Sequence, residues 1–268
     1  MIKRILRGFF VIDIAAICAS FGDGAPQVFY YDMTDSTNQR AKEYARSHPE
    51  NRAPAVFIAN GQSAGRGRLG RSFCSAFGAG LYISFLLYPE CTPDTVTRFT
   101  PYAAVALAET LEELTTLTPE IKWVNDLYVN GKKLAGILVE CEWKKEGDLS
   151  YLVCGLGINV YKTALPDEIS DIAISVEEAS GERISREELA SLLIKKMLRG
   201  LSSFGSEEVY LGYKKRLNTI GKSVRVIKPT CEYAAVVKSL NEDYSLTLTL
   251  PDGKEERLFS GEVSVKTK

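Results

Sequence analysis

Gly61-Gln62-Ser63-Ala64-Gly65-Arg66-Gly67-Arg68-Leu69-Gly70-Arg71-Ser72 holds the densest chemistry in the chain, and what flanks it decides the fold. Gly65, Gly67 and Gly70 satisfy G-x-G-x-x-G, and residues 65–72 nearly satisfy the P-loop pattern, with Arg71 in place of its lysine. Either phosphate cradle needs a helix directly after the glycines, because the amides of a helix N-terminus hold the anion. Here Gly78 and Gly80 intervene, and a β-rich run follows at 81–88, closed by Pro89. The stretch therefore reads as a flexible loop between two buried strands, 55–59 and 81–88, carrying three arginines within six residues. Glycines let its backbone close around a ligand, and forked guanidinium groups at that density suit carboxylate and phosphate oxygens.

Upstream, 28–31 reads as a short strand, and Asp35-Ser36-Thr37-Asn38-Gln39 carries a capping-box signal, Ser36 with Gln39, for a short helix through Ala41, Tyr44 and Ala45. Downstream, Val105, Ala108, Leu111 and Leu114 predict a helix over 95–117, with Pro101 at its start or at a kink. Strands at 121–124 and 127–129 lead to Asn130-Gly131, a tight-hairpin signal, and a return strand at 134–143. A turn at Glu146-Gly147 introduces a strand at 149–154 and then Gly155-Leu156-Gly157-Ile158-Asn159. A capping box from Ser185 to Glu188 opens a helical region to about 204, and another helix covers 207–217. Beyond Gly221, short alternating runs at 224–228, 234–240, 245–250 and 257–265 read as a separate small all-β barrel.

Composition narrows the classes. Of 268 residues 45% are apolar and 25% charged, and the net charge of −1 gives no footprint for duplex nucleic acid. Six cysteines lie without a CxxC pair and His48 is the only histidine, so a zinc site is not expected, and reduced thiols in a cytoplasmic setting are. Lys3, Arg4 and Arg7 ahead of the apolar run 9–21 resemble a signal peptide, but Asp13 interrupts the run and it is too short to span a bilayer. A buried N-terminal strand or helix is the expectation, with no membrane partner.

The loop 62–71 resembles the biotin-loop signature of the biotin protein ligases. Three further blocks are similar to that family in the same order: Asp35-Ser36-Thr37-Asn38; Lys122-Trp123-Val124-Asn125-Asp126 with Gly131-Lys132-Lys133-Leu134-Ala135-Gly136-Ile137-Leu138; and Gly155-Leu156-Gly157-Ile158-Asn159. Gly261-Glu262-Val263-Ser264 extends the similarity into the small barrel. Phe73 stands where the family usually has tryptophan and Val124 where it usually has proline. About 25 residues precede the core, too few for the winged helix-turn-helix of the bifunctional members, so a short form without a DNA-binding domain or repressor role is expected.

The resemblance implies an α+β fold: a mixed β-sheet packed by helices, class II synthetase-like, at 27–218, after an extension at 1–26 and before a small SH3-like β-barrel at 219–268. It implies a biotin–[biotin carboxyl-carrier protein] ligase, in which the biotin carboxylate attacks the α-phosphate of ATP and a carrier lysine then attacks biotinyl-AMP. Lys133 and Arg68 become the catalytic cations, needed because each step develops charge on oxygen. Ser36, Thr37 and Gln62 are expected to read the ureido ring, with Asn38, Gly65, Arg66, Gly67, Arg68, Trp123, Lys133, Gly136, Leu138, Gly155 and Gly157 completing the biotin pocket. Arg71, Phe73, Asn125, Asp126 and Asn159, with Arg68, are assigned to the nucleotide, and Asn125 and Asp126 to Mg²⁺. The partner implied is a biotin carboxyl carrier domain, and a homodimer is left open. A lipoate ligase is the nearest rival; a non-catalytic vitamin-binding module would need loss of Lys133 or the arginines, and neither is lost.

Overall fold

The computed structural model describes residues 11–162, 169–228 and 231–265. Lys3, Arg4 and Arg7 lie outside them. The apolar run that follows forms a short helix, α1 (Ile14–Ala19), and Asp13 is its N-cap, accepting from the Ala16 N–H at 3.1 Å. The charge that interrupts the apolar run thus begins a helix, which seats Ile12 and Ile17 in the core. Among the described residues no helix is long and apolar enough to cross a membrane.

Seven strands build the main sheet: β1 (Gln27–Tyr31), β2 (Ala55–Ala59), β3 (Gly80–Leu87), β4 (Glu120–Lys122), β5 (Asp126–Val129), β6 (Lys132–Trp143) and β7 (Leu149–Asn159). Their order is β1-β2-β3-β7-β6-β5-β4. Only β1 and β2 are parallel, as the intervening α2 (Thr37–Ser47) requires; the other neighbours are antiparallel, so the sheet is mixed, as expected. Asn130 and Gly131 both take positive φ, 53° and 76°, the conformation that suits a two-residue hairpin turn between twisted strands.

Helices cover the two faces unequally. On one face α3 (Phe99–Leu114), α5 (Arg186–Arg199) and α6 (Glu207–Arg216) bury Leu81, Ile83, Phe85, Leu156 and Ile158 in the main core. Pro101 lies in the first turn of α3, where its missing N–H has no intrahelical partner to lose. On the other face α2 covers only the β2–β3–β7 end, through Ala41 and Ala45 against Phe57, Leu86 and Val153. Among the described residues no helix covers the face beyond α2, where β6 meets β7. A short α4 (Val176–Ser180), which the sequence pattern did not signal, follows β7.

Beyond Gly221 the expected strands appear as β8 (Ser223–Ile227), β9 (Glu232–Leu240), β10 (Leu246–Thr249), β11 (Glu255–Leu258) and β12 (Glu262–Val265), in the order β11-β10-β9-β8-β12. The single strand read over 257–265 is broken by Phe259-Ser260-Gly261, with Gly261 at φ 133°. All pairings are antiparallel, so the small unit expected at the C-terminus is a separate five-stranded antiparallel sheet; among the described residues β11 and β12 do not pair, and no closed barrel is detected.

Candidate active site

The uncovered sheet face is the floor of a cleft of about 960 Å³ open to solvent. Register places Gly136 opposite Gly157 and Leu138 opposite Gly155, so small residues from two neighbouring strands share that face. Each glycine lies under a side chain. A Cβ on Gly155 would stand 2.1 Å from Asn38 Oδ1, and one on Gly157 only 2.4 Å from the Phe73 ring. The Gly155–Asn159 stretch therefore continues β7 to eleven residues, where the sequence pattern suggested a strand ending at Cys154.

Over this floor the arginine loop folds into a small hairpin: Phe73 N–H donates to Gly65 O at 2.9 Å and Gly67 N–H to Arg71 O at 2.7 Å. The expected flexible loop thus has backbone bonds of its own. Leu69, at its tip, takes φ 56° and is exposed. Arg66, Gly67, Arg68, Arg71 and Phe73 all line the cleft; Gly65 does not, and its role is to close the hairpin beneath.

Polar groups from α2 enter from one side. Ser36 is the N-cap by position, but its side chain makes no cap bond, so the capping-box expectation fails; the Asp35 carboxylate takes the Ser36 N–H at 2.6 Å and Gln39 bonds Glu43 instead. The Thr37 N–H donates to Gln62 Oε1 at 2.8 Å, the Thr37 hydroxyl lies 3.1 Å from the same oxygen, and Gln62 Nε2 donates to Ser75 Oγ at 2.9 Å. Gln62 is thereby fixed with its oxygen toward Thr37. Asn38 lines the cleft, yet its amide donates to Glu140 Oε2 at 2.8 Å and Leu138 O at 3.3 Å. Its side-chain N–H groups therefore serve the protein.

Cations enter from the other side. Lys133 Nζ is 2.8 Å from Asp126 Oδ1 and 5.8 Å from the centre of the Phe73 ring. Its backbone is held beyond the hairpin turn as well, since Lys133 N–H donates to Ile172 O and Ile174 N–H to Lys133 O, both at 2.9 Å. Arg68 Nη1 donates to Asn125 Oδ1 at 3.1 Å, and Asn125 Nδ2 donates to Asp126 Oδ1 and Ile137 O, each at 3.0 Å. The pair assigned to Mg²⁺ thus offers at most one uncommitted carboxylate oxygen, Asp126 Oδ2. That fits an ion carried in on a triphosphate, with its other ligands from phosphate and water, and does not fit a resident metal centre. Among the described residues no group of three or more His, Cys, Asp or Glu gathers to hold a metal.

Asn159 is not in the cleft: it is buried, and its Nδ2 points to Ile174 O at 3.4 Å, which ties β7 to the segment bracing Lys133. Its amide thus braces the fold, while the nucleotide role expected from sequence rests on the resemblance. Trp123 does line the cleft, but its Nε1 donates at 2.8 Å to the O of Tyr244, in the turn between β9 and β10. Behind it the Tyr213 hydroxyl donates to Val124 O at 3.1 Å, and the Tyr213 and Tyr244 rings meet edge to face at 5.3 Å. Burial holds the Tyr213 phenol well above its usual pKa, so it stays a neutral donor. Tyr213, Tyr244 and the cleft-lining Gly261 were not signalled as a site from sequence, because each acts across more than eighty residues of chain.

The model of the biotin/lipoate A/B protein ligase family matches residues 30–159. The chain is 32% identical over 238 residues to the bifunctional ligase/repressor BirA of Escherichia coli, covering 88% of this chain and 73% of that protein. It is 30% identical over 214 residues to the biotin–[acetyl-CoA-carboxylase] ligase of Mycobacterium tuberculosis, covering 78% and 77%. The chain belongs to the biotin protein ligases. Among solved structures, the biotin protein ligase of Aquifex aeolicus in complex with biotin and ATP matches with a TM-score of 0.74 at 27% identity, over 90% of this ligase and 99% of that chain. The family span ends at residue 159, so it contains every site residue read from sequence, while Tyr213, Tyr244 and Gly261 lie beyond it.

Proposed function

We propose that the ligase activates biotin with ATP as biotinyl-5′-AMP and transfers the biotinyl group to a lysine of a biotin carboxyl carrier domain. The observation that carries this reading is the convergence in one cleft of an oriented polar edge, Thr37 and Gln62, with two anchored cations, Arg68 and Lys133. In the first step a biotin carboxylate oxygen bonds to the α-phosphorus as the bond to the pyrophosphate oxygen breaks. Charge grows on the α-phosphoryl oxygens, and Lys133 and Arg68, held by Asp126 and Asn125, are pre-placed to stabilise it without reorganising. Magnesium bound to the triphosphate would supply further charge neutralisation. In the second step the neutral lysine amine attacks the acyl carbon, AMP leaves with the electron pair of the anhydride bond, and the amine loses a proton.

Ser36, Thr37 and Gln62 read the ureido ring, while Trp123, Leu138 and the glycine floor admit the thiophane ring and valeryl chain. Arg66, Arg71 and Phe73 close over the ligand from the loop. A dithiolane has no N–H or carbonyl to answer the polar edge, which favours biotin over lipoate. We read 27–218 as the catalytic unit and 219–268 as the small unit, joined through Trp123 and Tyr244. Six free cysteines suit a reducing, cytoplasmic setting. The test is incubation with ATP, a carrier domain and either biotin or lipoate: mass spectrometry should find one biotinyl group on one lysine, and lipoylation in its place would refute the assignment.

A further inference from the structure

The turn that carries Asn125 is short: β4 ends at Lys122 and β5 begins at Asp126, so Trp123, Val124 and Asn125 alone connect them. Asn125 anchors Arg68, and its amide can face only one way. Its side-chain N–H groups go to Asp126 Oδ1 and Ile137 O, an ion-paired carboxylate and a carbonyl that only accept, so Oδ1 is the atom turned to the guanidinium. Ile137 N–H also donates to Asn125 O at 2.9 Å, which fixes the residue from the sheet side.

The other side of the turn is fixed from α6. Tyr213 is fully buried there, and its hydroxyl donates to Val124 O at 3.1 Å. A peptide group is planar, so holding the Val124 carbonyl holds the plane that also carries the Asn125 nitrogen and Cα. The helix delivers this hydroxyl from a fixed frame, because just past its end Asn218 N–H donates at 3.0 Å to Ile121 O, on β4. A continuous line of contacts thus runs from a buried phenol through the Val124–Asn125 peptide and Asn125 Oδ1 to Arg68 Nη1. Tyr210, earlier in α6, supplies the contrast. Its ring also meets Tyr244 edge to face, at 5.8 Å, and its hydroxyl also donates to a carbonyl, Leu240 O at 3.0 Å, but that bond ends on β9 and not on the turn.

We propose that Tyr213 is a positioning residue for the retention of biotinyl-AMP: through the Val124 carbonyl it sets Asn125, and through Asn125 the guanidinium of Arg68. This role rests on the biotin reading above and belongs to a residue that does not line the cleft.

Tyr213→Phe removes the hydroxyl and keeps the ring, and Tyr210→Phe removes a matching bond from the same helix. Each is made alone and together with Arg68→Ala, the enzymes are loaded with biotinyl-AMP, and its release is followed by rapid filtration, with biotin affinity measured by calorimetry. Tyr213→Phe should release the adenylate about threefold to tenfold faster, the loss of one net hydrogen bond, and should leave biotin affinity within about twofold, since Thr37 and Gln62 are untouched. In the Arg68→Ala background it should add less than about twofold, because the group it positions is gone. Tyr210→Phe should change release by less than about twofold in either background. Asn125→Ala leaves helix and phenol intact and gives an independent reading where phenylalanine weakens the fold: it should speed release at least as much as Tyr213→Phe, and again not in Arg68→Ala. Equal release from the two phenylalanine variants, a Tyr213→Phe effect that persists without Arg68, or unchanged release in Asn125→Ala overturns the role. Failure of the parent to form biotinyl-AMP from biotin and ATP would instead overturn the biotin reading.

Discussion

Replacing Arg68 with alanine separates holding the intermediate from making it. Its guanidinium is anchored by one bond to Asn125 Oδ1 at 3.1 Å and stands on the cleft wall beside the segment that carries Asp126. One N–H is committed there, which leaves the rest of the fork for a phosphate oxygen. A charge-assisted hydrogen bond is worth about 1.5–3 kcal/mol, so Arg68→Ala should release biotinyl-AMP about 10- to 100-fold faster. Lys133, held by Asp126 and by the strand-like contacts to Ile172 and Ile174, still supports adenylation at a reduced rate. The variant should therefore shed a reactive acyl phosphate that labels bystander lysines. Each enzyme is incubated with biotin, ATP and an unrelated lysine-rich protein, adenylate release is followed by rapid filtration, and labelling is read by blot. Carrier-only labelling with unchanged release would refute the reasoning and make Arg68 a solvated loop charge.

Lys133→Ala should lower the adenylation rate by about 10²-fold or more with an unchanged circular dichroism spectrum, since Nζ acts on charge that develops only in the transition state; near-normal turnover would remove it from the mechanism. Gly157→Ala puts a Cβ 2.4 Å from the Phe73 ring, so the ring must shift at a cost of about 1–3 kcal/mol, and ligand affinity should fall, whereas Gly24→Ala, with nothing within 4 Å, should leave affinity unaltered. Equal behaviour of the two in calorimetry would contradict the close-packed floor. Asp35 is raised by partial burial, but bonds from the Ser36 N–H, the Thr34 hydroxyl and Arg40 outweigh this and hold it below the usual carboxylate value. Its contribution to stability is thus complete above the unfolded-state pKa and lost only as pH falls through the lower folded one, so the acid limb of the melting curve should flatten in Asp35→Asn.

Local chemistry made much of this fold legible. The strand that follows the glycine–arginine loop ruled out a phosphate-binding helix, and β3 is that strand. Asn130-Gly131 specified its hairpin through the φ values that few other pairs adopt cheaply. What failed was non-local. Gly155 and Gly157 looked like a break after Cys154 because their reason is the pressure of Asn38 and Phe73 from above, residues far away in sequence. Ser36 has the look of a capping-box residue, but Asp35 takes the Ser36 amide that Gln39 would serve in such a box, and Gln62 takes that of Thr37. Arg186 opens a helix in the sequence pattern and carries no other signal, yet it is buried and donates to Asn60 Oδ1 at 2.7 Å and Gly80 O at 3.1 Å, joining the two ends of the 61–79 segment. No periodicity marks such a residue. The site cations were readable as residue types, while their anchors, Asn125 for Arg68 and Asp126 for Lys133, required the structure.

The central claim is that one cleft both recognises biotin and activates it with ATP, and isotope exchange tests it without any carrier protein. Labelled pyrophosphate is incubated with the ligase and ATP, with biotin, with lipoate or with neither. Exchange into ATP should depend on biotin, fall at least about 10²-fold in Lys133→Ala, and stay at background with lipoate. Exchange without biotin, or driven equally well by lipoate, would contradict it.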